Sequence, residues 1–211
     1  MTISRRTLLQ RAAATLALGF SDPLRALAQA AGSAETAEDR ARLVRWVTTV
    51  RTEGLDRPDV AFGRAVARVG ELALGTPYEA STLEAYLKGG ADPLVREPLT
   101  LWLTRFDCVT LVESSLAVAR VAVHGGPPRW DAFGEQVERM RYRGGTRAGY
   151  TSRLHYFSEW IADNARRGLV RDLGQELGGE ADRRPLRFMS THRDAYPALK
   201  SQTLFEAVAA H

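Results

Sequence analysis

The stretch RFDCVTLVESSLAVAR (residues 105–120) carries the single cysteine of a 211-residue chain. Ahead of it, LTLWLTRFDC is apolar with partial alternation. After it, Val109, Val112, Leu116, Ala119 and Val123 recur at steps of three and four, the spacing of an amphipathic helix. Gly125, Gly126, Pro127 and Pro128 end that pattern. Asp107 or Thr104 is suited to cap the helix, which puts Cys108 in or beside its first turn. There, free backbone N–H groups and the positive end of the helix dipole favour a thiolate, and the same N–H groups can stabilise an oxyanion. An ordinary thiol with pKa about 8.5 is only about 3% ionised at pH 7, so a nucleophile gains from such a place. Cysteine is equally at home as a small buried hydrophobe, and composition does not choose between the two.

Outward from this helix, residues 36–75 read as a helical cover. Leu43, Val44, Trp46, Val47 and Val50 share one face, and Phe62, Val66, Val69 and Leu72 share another after Pro58. On the far side, WDAFGEQVERMRYR places Trp130, Phe133, Val137 and Met140 together. Further on, RLHYF, LVRDL and PLRFMS have the composition of strands. SEWIADNARRG between them reads as a short helix capped by Ser158 and ended by Gly168, with a continuous hairpin over 153–173 as the competing reading. Helices first and strands later predict an α+β domain.

The first thirty residues are set apart from this domain. Arg5 and Arg6 precede an apolar stretch too short to span a bilayer, and small residues follow at 26–30. That order is expected of a secretory signal, and the arginine pair of its twin-arginine version, which exports folded proteins to the periplasm. An ordinary amphipathic helix is the alternative. Four arginines against Asp22 give residues 1–30 a net +3, which leaves +1 of the total +4 on residues 31–211. The basic pI therefore gives little support to nucleic-acid binding. About 180 residues suffice for one domain over 31–211, with a core at 76–200 and no stable membrane insertion once the signal is removed. An exported chain with one cysteine cannot use it in an internal disulfide, so the thiol is expected to be buried or used.

A nucleophilic thiol needs a base. His211 is terminal, and His124 stands sixteen residues along the helix from Cys108, about 24 Å away at 1.5 Å per residue. His155, after a glycine-rich loop, and His192 remain, and each is also suited to a structural role. The spacing of His, Cys and Asp matches no metal site, and no phosphate-cradling glycine loop precedes a helix, so no metal or organic cofactor is expected.

GTPYEASTLE, FDCVTLVESSLAVAR, RYRGG with GYTSRLHYFSEWIADN, LGGE and FMSTHRDAYPALK follow one another over residues 72–200. Together they resemble the N-acetylmuramoyl-L-alanine amidase-like branch (domain of unknown function 1460) of the NlpC-type, papain-fold cysteine amidases. The resemblance implies a papain-like α+β fold, in which a helix starting at the nucleophile packs on an antiparallel sheet that carries the base. By position, Cys108 is implied as nucleophile and His155 as base. Asp172 is the best match for the third, orienting residue, with Asp163 and Asn164 closer in sequence but suited only to capping or bridging. Tyr78, Thr82, Ser152 and Arg153 are implied as substrate contacts, Tyr78 also as an oxyanion donor. Their structural alternatives are packing for Tyr78 and internal pairing of Arg153 with Glu84 or Asp107. The implied substrates are peptidoglycan fragments, cut between the muramoyl lactyl group and L-alanine. A stem-peptide endopeptidase and a non-catalytic wall-binding module are the alternatives.

Overall fold

The computed structural model describes residues 36–210 except 89, 91, 93, 95, 96, 175, 181 and 183; the arginine-pair segment lies outside them. Helix α1 (Ala37–Thr52) starts at Thr36, whose hydroxyl accepts from the Asp39 backbone N–H while the Asp39 carboxylate accepts in return. Leu43, Trp46, Val47 and Val50 of α1 are buried, whereas Val44 is exposed. Asp39 also faces inward, where its Oδ1 accepts from the Leu103 N–H at 2.7 Å and the Thr104 hydroxyl at 2.9 Å. Burial pushes its carboxyl up, but these bonds and those from Thr36 outweigh it and hold it below the usual range. The segment entering the cysteine helix is thereby pinned to the start of α1.

Helix α2 (Phe62–Leu72) and the short α3 (Ala85–Lys88) follow, then α4 (Cys108–His124), α5 (Trp130–Arg141), α6 (Phe157–Arg166), α7 (Phe188–Thr191) and α8 (Gln202–Ala209). The centre of the molecule is α4, against which α1, α2 and α5 all pack. The expected stripe on α4 is broader than its spacing suggests: Ser114, Ser115, Ala117, Val118, Ala119, Val121 and Ala122 are buried, while Val112 and Val123 are exposed. Small residues on several faces let neighbouring helices approach from more than one side. Arg51 of α1 closes the far end of α4 by donating to the carbonyls of Val121, Ala122 and Gly126, a cation placed at a helix C-terminus. Phe133, Val137 and Met140 of α5 are fully buried, and Gly134 allows the close packing, since a Cβ there would stand 3.1 Å from the Leu101 side chain. A second, smaller core joins Tyr150, Met189, Ala198, Leu199 and Leu204.

No antiparallel sheet is present among the described residues, which overturns the expected papain-like α+β architecture. Pairing is limited to two isolated bridges, Tyr78 with Phe106 (parallel) and Tyr142 with Arg153 (antiparallel). The strand-like segments satisfy their backbones through such a single bridge or in other ways. In RLHYF, the Leu154 N–H donates to the Arg141 carbonyl, and helix α6 begins at Phe157, one residue ahead of Ser158, with no side-chain cap. In LVRDL, the Leu169 N–H returns to the Asn164 carbonyl and its carbonyl accepts from the buried Arg120, while Leu169 and Val170 pack on the main core. PLRFMS turns into α7. No helix among the described residues is long and apolar enough to cross a membrane.

Candidate active site

Cys108 is the first residue of α4, and its thiol is free and exposed. Asp107 caps the helix: its Oδ1 accepts from the backbone N–H of Val109 (3.1 Å) and Thr110 (2.8 Å), and the Thr110 hydroxyl accepts from the Asp107 N–H (2.9 Å). The other carboxylate oxygen of Asp107 accepts from the Thr82 hydroxyl at 2.7 Å. The strand-like entry is held by the backbone of residues 77–79, with Phe106 N–H donating to Pro77 and Glu79 N–H donating to the Phe106 carbonyl. This register sets Tyr78, a residue 72% exposed, opposite Phe106, two residues before the thiol.

His155 lies between α5 and α6, two residues before α6 begins. Gly149, at φ 98°, admits a 3-10 turn over Tyr150–Ser152, whose Ser152 hydroxyl donates to the Gly149 carbonyl and accepts from the Ala148 N–H. The imidazole Nε2 stands 2.8 Å from the Tyr150 carbonyl, and the ring packs 4.4 Å from the Tyr150 ring. A carbonyl only accepts, so Nε2 carries the proton and Nδ1 of the neutral ring keeps its lone pair. Burial, then the positive charge of Arg153, hold this imidazole well below its ordinary value of 6.5, against the opposing pull of the Tyr150 carbonyl. The ring is therefore neutral at neutral pH. It also borders a cavity of about 40 Å³ lined with Tyr156, Glu159, Met189 and Val208.

Arg153 is buried and forms ion pairs with Glu84 at 3.1 Å and Glu97 at 3.0 Å. Burial works against its charge, but Glu97, Tyr150 and Glu84 outweigh it. The phenols of Tyr142 (3.0 Å) and Tyr86 (3.3 Å) donate to Glu97, and that of Tyr150 donates to Glu84 at 3.0 Å. Burial, reinforced by these carboxylates, pushes all three phenols up and keeps them as donors. Cys108 and His155 share no hydrogen bond among the described residues. The turn Thr82–Glu84 joins their segments on one side, bonded to Asp107 at one end and to Arg153 and Tyr150 at the other, while the Leu154–Arg141 backbone bond and the Arg141–Glu113 pair form a second link.

The family model for N-acetylmuramoyl-L-alanine amidase-like (AmiA-like) proteins matches residues 68–211. The chain belongs to that family. A solved N-acetylmuramoyl-L-alanine amidase from Bacteroides uniformis is 32% identical, with a TM-score of 0.60 over 69% of this AmiA-like chain and 57% of its own. A second structure of a B. uniformis amidase gives 30% identity and a TM-score of 0.56, over 70% of this chain and 61% of that one. A Bacteroides fragilis protein whose name marks it a candidate xylanase is 37% identical, with a TM-score of 0.57 over 67% of this chain and 57% of its own. The AmiA-like chain thus spans between 57% and 61% of the length of these relatives. No curated protein matches it.

The remaining expected residues of this AmiA-like chain divide by place. Asp172 is exposed and its Oδ1 accepts from the Gly174 N–H; it shares no hydrogen bond with His155. Asp163 and Asn164 are buried and brace Arg167, Asp163 by ion pairing and Asn164 through its side-chain oxygen, which leaves them bridging rather than facing a site. Thr82, Ser152 and Arg153 spend their polar atoms on the internal bonds above, Arg153 with the Glu84 named as its alternative. Sequence reasoning missed Glu97, Glu113 and Arg141. Glu113 and Arg141 form a fully buried pair at 2.8 Å, and Trp160 also donates to Glu113 at 3.2 Å. The available signal was an acid set inside an apolar run, as in REPLTLWL and VTLVESSL. No cluster of three or more His, Cys, Asp or Glu suited to a metal is found among the described residues.

Proposed function

We propose that this chain is an exported cysteine amidase, which hydrolyses the amide between the muramoyl lactyl group and L-alanine in peptidoglycan fragments. Membership of an amidase-like family supports the reaction class. The observation that carries the mechanism is the exposed thiol at the first position of a capped helix, in a chain whose base candidate is a neutral, oriented histidine. Export by the twin-arginine route rests on Arg5, Arg6 and the apolar segment that follows them.

In this reading the Cys108 proton passes to Nδ1 of His155 and the sulfur attacks the amide carbon. The oxyanion is met by the Cys108 backbone N–H at the start of α4, those of Val109 and Thr110 being held by Asp107, with Tyr78, opposite Phe106 in the chain register, adding a hydroxyl. Collapse breaks the C–N bond, and the imidazolium gives its proton to the departing L-alanine nitrogen. Water then loses a proton to His155 and attacks the thioester, which releases the lactyl carboxylate and restores the thiol. The Tyr150 carbonyl holds the ring throughout, the part the resemblance assigned to Asp172. A glycosidase would need two carboxylates flanking a cleft. Glu84 and Glu97 are both tied to Arg153 inside the molecule.

The test is digestion of defined muropeptides followed by mass spectrometry. Free sugar with an intact stem peptide supports the amidase. A shortened stem still on the sugar makes the chain an endopeptidase instead. Cys108→Ala should lower turnover by about 10³ or more with binding largely kept. An unchanged rate removes the thiol from the mechanism, and binding without turnover by the native chain leaves a wall-binding module.

A further inference from the structure

Nucleophile and base sit on different segments, and nothing bonds one directly to the other. Cys108 is placed by the Asp107 cap, His155 by the Tyr150 carbonyl and ring. A proton transfer is sensitive to the separation of its two atoms, so some element must hold these segments in register. The turn Thr82–Glu84 touches both. At its first residue the buried Thr82 hydroxyl donates to Asp107 Oδ2 at 2.7 Å. At its last, Glu84 Oε1 accepts from the Tyr150 phenol at 3.0 Å and from Arg153 Nη2 at 3.1 Å. Three residues thus reach from the N-cap of the cysteine helix to the two residues that orient and tune the histidine.

The turn is also entered through an unusual backbone. Ser81, at φ 59°, is the one non-glycine residue in the left-handed region among those described. Such a conformation persists only where the surroundings hold it, and here bonds at both ends of the turn do so. The Asp107 bond is short, its acceptor is a carboxylate, and both groups are buried, so it has one geometry rather than a range.

We propose that Thr82 and Glu84 are positioning residues, which fix the cysteine helix and the histidine turn relative to each other. The proposal rests on the Cys108–His155 reading. It makes Thr82 a brace behind the nucleophile. A hydroxyl is what this requires: Thr82→Ser keeps the donor, while Thr82→Val keeps the shape and leaves Asp107 without it.

The test reads the pair without substrate and then with it. The rate of Cys108 alkylation by iodoacetamide is followed against pH in the native chain, His155→Ala, Thr82→Val, Thr82→Ser and Glu84→Gln, with Cys108→Ala as the labelling control. Coupling to the imidazole should give the native chain a limb that His155→Ala lacks. Thr82→Val should lose that limb while keeping the native circular dichroism spectrum, and Thr82→Ser should restore it. On muropeptide, Thr82→Val should lower kcat by about 30-fold or more with KM within about threefold. A folded Thr82→Val with the native alkylation profile and kcat overturns the brace. Should Thr82→Val fail to fold, Glu84→Gln decides from the other end of the turn: a native profile and kcat overturn the proposal, and a lost limb in a folded chain upholds it. A native chain whose profile is unchanged by His155→Ala overturns the underlying pair, and with it the brace.

Discussion

Truncating Asp107 should cost both stability and turnover, because one side chain serves the helix and the turn behind it. Its Oδ1 accepts from two backbone N–H groups of α4, and its Oδ2 from the buried Thr82 hydroxyl. Asp107→Ala loses the N-cap, about 1 kcal/mol. It also leaves the Thr82 hydroxyl without its acceptor, a penalty of about 1–3 kcal/mol. Together these give about 2–4 kcal/mol. For a domain of this size each kcal/mol lowers Tm by about 2–4 °C, so the expected fall is about 4–16 °C. Asp107→Asn is the informative partner. Its carbonyl keeps both backbone bonds, and its amide can donate to the Thr82 oxygen, so its loss should stay within about 1 kcal/mol. Calorimetry of both variants supplies the stability and a muropeptide assay the turnover. With the first turn of α4 uncapped, Asp107→Ala should lose turnover beyond any unfolded fraction at the assay temperature. A Tm within 2 °C of native for Asp107→Ala, or equal damage from Asn and Ala, would refute the account of the cap.

Other expectations follow from the same geometry. The His155 imidazole is held well below 6.5, so it stays unprotonated as pH falls from 7 through that value; kcat/KM should hold to a lower pH than an ordinary histidine allows, and an acid limb at or above 6.5 would contradict this. Arg141→Met should cost about 3–5 kcal/mol by stranding the Glu113 carboxylate, which burial already pushes up against the pull of Arg141. The double variant Arg141→Met with Glu113→Leu should recover most of that in urea unfolding, and full additivity would deny the pair. Asp172→Ala should stay within about threefold of native kcat/KM if the Tyr150 carbonyl orients the ring, while a loss of about 10² or more would return that role to the carboxylate.

Much of the helical frame was legible along the chain. The Asp107 cap, the buried faces of α1 and α5, and the stop at Gly168 are local: each depends on residues within a turn or two of one another. The strand readings failed on a different scale. RLHYF and LVRDL have strand composition, but composition says only that side chains pack on a half-buried surface. Arg120 and the Asn164 carbonyl took the Leu169 backbone bonds that a neighbouring strand would have taken, and RLHYF meets Arg141 and Tyr142 in a single bridge. The α4 stripe was read too narrowly for a related reason, since small residues mark no face until helices are seen to arrive from several sides.

Sequence alone determined where the only thiol stands: in or beside the first turn of a helix that Asp107 or Thr104 is suited to cap. Tertiary structure decided what surrounds that thiol and the His155 ring. Thr82 reaches Asp107 across 25 residues, Arg153 reaches Glu84 across 69 and Glu97 across 56, and Arg141 reaches Glu113 across 28. A cap is chosen by neighbours in the chain, and its free energy can be read from them. A buried charge is satisfied by whichever segment folding brings beside it, and at such separations many partners are open to the chain until its core has closed.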